Sequence, residues 1–169
     1  YARNVQPKPG SREIVEFALR LPGPDSDPNA CVWLPIDAKF PHEDYARLVE
    51  AAETGESDAE RSAANALARV VRGFAIDIRD KYLEPPHTTD FAILFVPTES
   101  LFAEAVARPG LADALQRDCR VTIAGPTTLA ALLNSLQMGF RTLAIEQRST
   151  EAWRVLGAVK AEFGKFGDL

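Results

Sequence analysis

Near the end of an apolar stretch, Asp37-Ala38-Lys39 sets a carboxylate and an amine two residues apart. In a β-strand that spacing turns both side chains to the same face. Val32, Leu34 and Ile36 then share the other face. Upstream, Glu16 alternates out of phase with Val15, Phe17 and Leu19. Pairing the two segments with their apolar faces together brings Glu16 towards Asp37 and Lys39. Two carboxylates and an amine can do phosphoryl chemistry. Carboxylate oxygens suit Mg²⁺, which keeps several waters and prefers carboxylates together with substrate phosphates. Such a metal lowers the pKa of a water and offsets charge developing on phosphorus. The lysine can orient or deprotonate the water, or meet that charge with its own. Spacing alone does not separate this from a solvated ion pair worth about 0–1 kcal/mol.

Other polar groups stand at element boundaries. His87-Thr88-Thr89-Asp90 lies between a helical pattern and the apolar run FAILFV. His87, a further candidate catalytic residue, could contact a phosphate or supply a proton. The same four residues also fit a hydrogen-bonded turn at a strand entrance. Glu99 follows that strand, where a carboxylate suits a helix N-terminus. The segment 124–128, AGPTT, opens a helix with two hydroxyls, which fits N-capping or an anion site. Gln137 and Arg141 sit four apart on one helical face. Trp33, Tyr45, Phe91, Phe95 and Trp153 read as core or interface, with no stacking platform for nucleic acid.

The elements positioning these groups follow from periodicity. Residues 12–21 alternate as a strand, a turn-rich stretch occupies 22–30, and 31–39 form a second strand, making a hairpin. A helical pattern runs over 42–83, broken at Thr54-Gly55. Ser57 and Glu60 have the spacing of a capping box. Leu67, Val70, Val71, Phe74 and Ile78 give one apolar stripe, and Pro85-Pro86 ends it. Residues 91–96 suit a strand covered on both faces. Short helices over 100–108 and 111–117, a strand over 120–124, a helix opened by Gly125-Pro126 and a last helix over 149–163 complete the order. That order predicts an α/β fold, a mixed central sheet flanked by helices, with its site at strand ends.

With 169 residues, 46% of them hydrophobic and 25% charged, the chain has the size and composition of one soluble domain. The 1–11 segment begins in mid-pattern, as if cut from a longer protein. No apolar run approaches the roughly 20 residues that span a bilayer, and no signal peptide is evident. A net charge of −5 argues against a general phosphate-coating protein and leaves room for a local basic track. Cys31 and Cys119 lack the spacing of a zinc site and read as small apolar residues of a reducing cytoplasm.

EFALRLPG, VWLPIDAKFP, PPHTTDFAILFVPTESLFAEA, AGPTTLAALLNSLQMGFRTLAIE and FGKFGDL, spread over nearly the whole chain, resemble the RmuC family. The resemblance implies a restriction-endonuclease-like fold of the PD-(D/E)xK type and a part in DNA recombination, limiting inversions at inverted repeats. It implies a Mg²⁺- or Mn²⁺-dependent deoxyribonuclease acting on structured DNA or recombination intermediates. The alternative is a non-catalytic DNA-binding or scaffold domain, homo-oligomeric or not, that keeps the fold. Glu16 takes the first acidic position, and Asp37 and Lys39 the acid-x-lysine position, so Glu16 and Asp37 are the metal candidates. Val15-Glu16 stands where relatives resemble Pro-Asp, which lengthens the first acidic arm by a methylene. The family also implies an N-terminal membrane anchor, a coiled coil and a further helix before the first core strand, none of which is in 1–169. The domain is expected in the cytoplasm, with any membrane anchor of the full-length protein facing that side.

Overall fold

In the computed structural model, residues 1–23 and 31–141 are described. The turn-rich stretch predicted over 22–30 therefore lies almost wholly outside them. The helix predicted over 149–163, with Trp153, lies outside them entirely.

Period-two segments become strands β1 (Ala2–Val5), β2 (Val15–Pro22) and β3 (Cys31–Ala38). Period-3.6 segments become α1 (His42–Thr54) and α2 (Ser57–Tyr82). Then follow β4 (Ala92–Phe95), α3 (Glu99–Ala107), α4 (Leu111–Cys119) and β5 (Val121–Ala124). The strands form a mixed sheet in the order β1-β2-β3-β4-β5. Its first half is an antiparallel meander, β1 with β2 and β2 with β3. Its second half is parallel, β3 with β4 and β4 with β5, each joined through a helical crossover. Parallel neighbours need such crossovers, and α1–α2 and α3–α4 supply them. The chain divides into two compact units, 1–129 and 130–169. The sheet and α1–α4 belong to the first. In the second, residues 130–141 are helical.

β1 is not expected from the sequence, because 1–11 shows no clean alternation. Asn4 adopts a left-handed φ of 54° inside it, which interrupts the pleat. Ser57 is the first residue of α2, not its cap. Glu56 holds the N-cap without a side-chain hydrogen bond, so the predicted capping box does not form. The hydrogen bond there runs from the Glu60 backbone N–H to the Glu56 carbonyl. Gly55, with φ of 70°, supplies the left-handed residue that ends α1.

α2 buries Ala64, Leu67, Val71, Ala75, Ile78 and Tyr82, a stripe advancing by three and four residues. The predicted Val70 and Phe74 flank it at intermediate exposure. This stripe packs with Ala18, Ala92, Leu94, Val96, Val121 and Ile123 of the sheet and Leu101, Ala105 and Leu115 of α3 and α4 in one cluster. Leu34, Ile36 and Ile93 are also buried but lie outside that cluster. The register pairs Ile36 with both Phe17 and Ile93, which puts them on the opposite sheet face. β3 and β4 are thus covered on both faces, as the continuous apolar run FAILFV predicts.

Candidate functional site

The β2–β3 ladder pairs Phe17 with Ile36 and Leu19 with Leu34, the apolar-face-to-apolar-face register that alternation predicts. The ladder closes at Phe17, and one further step in the same register sets Glu16 across from Asp37. On the other side Asp37 is level with Leu94 of β4. Leu94 is level in turn with Ile123 of β5. Asp37 therefore ends a row that faces α2 and the main cluster rather than open solvent. It is only 3% exposed.

Asp37 is held there by charge pairing. Lys39 Nζ lies 3.0 Å from Asp37 Oδ2, with the lysine side chain 36% exposed. The ammonium thus bridges a buried carboxylate and solvent. Its backbone is fixed as well: the Lys39 N–H donates to the Phe95 carbonyl at 3.0 Å, carrying the β3–β4 pairing one residue past the strand. A buried carboxylate is costly unless compensated, and Lys39 is its counter-ion. Glu16, by contrast, is exposed.

Tyr82, in the last turn of α2, belongs to the same corner. It is 7% exposed, and burial, followed by the negative fields of Asp37, Glu13, Glu16 and Asp77, pushes its phenol up to about 12. Sequence reading misses Tyr82, although its place in the stripe Leu67, Val71, Ile78 is visible. Its phenol is raised above the usual 10, so the stability it contributes is fully present below about pH 10 and is lost as pH climbs towards about 12. Tyr82→Phe should remove that part of the alkaline slope, read from denaturant unfolding midpoints compared between pH 9 and pH 11 (about one unit either side of the phenol's ordinary value).

His87 stands elsewhere. Its backbone carbonyl accepts the Trp33 N–H at 3.0 Å, and the Thr89 N–H donates to the Trp33 carbonyl at 2.8 Å. Thr88 forms a parallel bridge with Trp33. Trp33 is four residues up β3 from Asp37, about 13 Å along the strand. Thr88, 2% exposed, accepts the Glu84 N–H through its hydroxyl at 2.8 Å and donates to the Thr89 carbonyl at 2.8 Å. Thr89 Oγ1 donates to the Phe91 carbonyl at 2.6 Å. The His87–Asp90 segment is thus a bonded turn that docks on β3. The structure pairs Lys39 with Asp37 at one end of β3, the end where Glu16 follows Phe17 in register, and leaves His87, exposed, at the other.

Glu99 caps a helix, as its position suggests. Its Oε1 accepts the Thr127 N–H at 2.6 Å, in the first turn of the helix beginning at 126. Hydrogen bonds from Thr127 lower the Glu99 pKa below the usual carboxylate value. AGPTT is therefore capped by a carboxylate from α3's first turn. Gly125 makes this approach possible. A Cβ there would sit 2.8 Å from Glu99 Oε2 and 2.9 Å from Phe102 Cβ. Gly125→Ala should cost about 1–3 kcal/mol by overpacking. The loss should shrink when Phe102 is also reduced to alanine, in a double-mutant cycle of thermal or denaturant unfolding.

Among the described residues no group of three or more His, Cys, Asp or Glu side chains is placed to hold a metal ion. Any cation at Glu16 and Asp37 would draw on two carboxylates, leaving room for water and phosphate, which is the Mg²⁺ preference. Cys31 and Cys119 are free, and Cys119 is buried in the main cluster.

A model of the RmuC family matches residues 1–169. The chain belongs to the RmuC family. It is 60% identical over 169 residues to proteins from two strains of Xylella fastidiosa, each described as a DNA recombination protein RmuC homolog. The match covers 100% of this chain and 37% of each relative, so the chain spans a little over a third of their length. No solved structure matches it. No helix among the described residues is long and apolar enough to cross a membrane.

Proposed function

We propose that this RmuC-family domain acts in DNA recombination as a divalent-metal-dependent DNA phosphodiesterase of restriction-endonuclease-like design, working in the cytoplasm. Its centre is Glu16, Asp37 and Lys39. The observation that carries this reading is the Lys39–Asp37 pair, 3.0 Å apart at the C-terminal end of the strand where the sheet turns from antiparallel to parallel. Ligands of open α/β sheets gather at such strand ends. The relatives' description as recombination proteins supports DNA as the partner.

Each residue has a separable task. Asp37, buried level with Leu94 of β4 and paired with Lys39, presents a carboxylate held at the end of β3. Glu16, exposed and across from it, supplies a second, more adaptable oxygen donor. A Mg²⁺ or Mn²⁺ ion bound by both would activate a water and offset charge on the scissile phosphate. Lys39 lies within reach of that phosphate because its ammonium is partly open to solvent. It can hold a water for in-line attack or meet the charge gathering on the phosphate oxygens. Metal titration by calorimetry, with and without Asp37→Asn, tests the site directly: binding that survives the substitution overturns it.

A scaffold reading rests on a specific observation. Asp37 is already neutralised by Lys39, and among the described residues no third acidic ligand joins the pair. If the chain binds DNA, alone or as a homo-oligomer, with no metal-dependent cleavage, the fold serves recombination by holding DNA.

A further inference from the structure

The bend that follows Lys39 carries an exposed aromatic ring. Phe40 is 43% exposed, immediately beside the candidate centre. It is not a loose surface ring. Pro41, buried, anchors the bend, and the His42 N–H donates to the Phe40 carbonyl at 2.8 Å, closing the chain tightly into α1. His42 stands edge-on to the Phe40 ring, with centroids 5.5 Å apart and planes at 82°. Tyr45 leans on it at 6.4 Å and 51°. Two aromatic neighbours thus fix the ring while leaving much of it open to solvent. A lone exposed apolar side chain is ordinary. A braced aromatic ring next to an ammonium-bearing residue and an exposed imidazole presents a fixed face on which another ring can stack.

The surrounding charge narrows what it recognises. Lys39 is already paired with Asp37 at 3.0 Å and Arg47 with Asp44 at 2.7 Å, and the exposed Glu43 adds a further negative charge next to the bend. Phosphate attraction alone would hold a DNA strand poorly here. Stacking on an aromatic face does not depend on that attraction and works with any base. It requires, however, a base that has left its own stack.

Resting on the phosphodiesterase reading, we infer that Phe40, braced by His42 and Tyr45, stacks on an unpaired base and selects DNA that is single-stranded or frayed next to the scissile phosphate. Duplex DNA, whose bases are occupied with one another, offers the ring nothing. The flanking Lys39 would meet the phosphate adjoining the stacked base.

The test is binding without metal, so that cleavage plays no part. Fluorescence anisotropy of labelled oligonucleotides in EDTA should show the 169-residue chain favouring a single strand over a blunt duplex of the same sequence. Phe40→Ala should weaken single-strand binding by about 5- to 100-fold while changing duplex binding less than about 2-fold. Phe40→Trp should restore the preference, which a merely structural role for the ring would not predict. The inference falls if the parent shows no single-strand preference, if Phe40→Ala binds like the parent, or if Phe40→Trp behaves like Phe40→Ala. Failure of the nuclease reading appears separately, as metal-dependent cleavage that Asp37→Asn leaves unchanged.

Discussion

Asp37→Asn should reduce Mg²⁺-dependent DNA cleavage by about 10²- to 10⁴-fold, the range associated with losing a positioned ionic group from a reacting centre. The substitution is nearly isosteric, and its effect on the fold should be small. Asparagine keeps a side-chain oxygen towards Lys39, and the ammonium, 36% exposed, can turn to water. Lys39→Met is expected to lose activity by a similar factor for a different reason. It removes the cation and strands a carboxylate that is 3% exposed. That orphaned charge should cost about 1–3 kcal/mol of stability, less than for a fully enclosed pair because the lysine end is solvated. The two variants therefore separate: Asp37→Asn is inactive at near-parental melting temperature, Lys39→Met inactive and measurably less stable. The double variant should be no slower than the slower single one, since groups acting as a unit are not additive. Initial rates on an oligonucleotide, with melting curves on the same preparations, check all three. A parental rate for Asp37→Asn would remove the phosphodiesterase reading.

What the sequence makes legible here is mostly alternation. Period two alone places Phe17, Leu19, Leu34 and Ile36 face to face, and the observed register agrees. The α2 stripe is legible for the same reason, because burial imposes a period on the chain. The identity of the buried neighbours is not. Alternation puts Asp37 on the polar side of β3, yet that side meets α2, because the parallel strands β4 and β5 bring Leu94 and Ile123 alongside it. Only the crossovers decide that, and their packing is non-local. Tyr82 escapes sequence reading for the same cause: a tyrosine in a stripe reads as core, and the carboxylates whose fields help raise its phenol include Asp37 and Glu16 on strands distant in sequence. His87 shows the converse limit. Its residue type suggests chemistry, while the shortest hydrogen bonds that dock its turn on Trp33, at 3.0 and 2.8 Å, are made by backbone groups that carry no residue signature. β1 is illegible because Asn4 breaks its pleat.

Leu94→Ala should cost about 2–5 kcal/mol of unfolding free energy, the span for removing a leucine from a packed core. Leu94 is 0% exposed, lies level with Asp37 on one side and Ile123 on the other, and belongs to the cluster formed with α2. The sheet is clamped there by hydrogen bonds on both edges of β4, so it cannot collapse to fill the space, and the cost should fall in the upper half of the range. A domain of this size loses roughly 2–4 °C of melting temperature per kcal/mol, so a drop of about 7–20 °C is expected in thermal unfolding. Leu94→Met, which keeps the volume, should cost under about 1.5 kcal/mol. The comparison also probes the site. If Leu94, alongside Asp37, helps fix the carboxylate, Leu94→Ala should weaken Mg²⁺ binding even well below its melting temperature, whereas Leu94→Met should not. A protein that loses the stability but keeps parental metal affinity would show that Lys39 alone holds Asp37 in place, and that the core beneath it supplies stability without positioning the carboxylate.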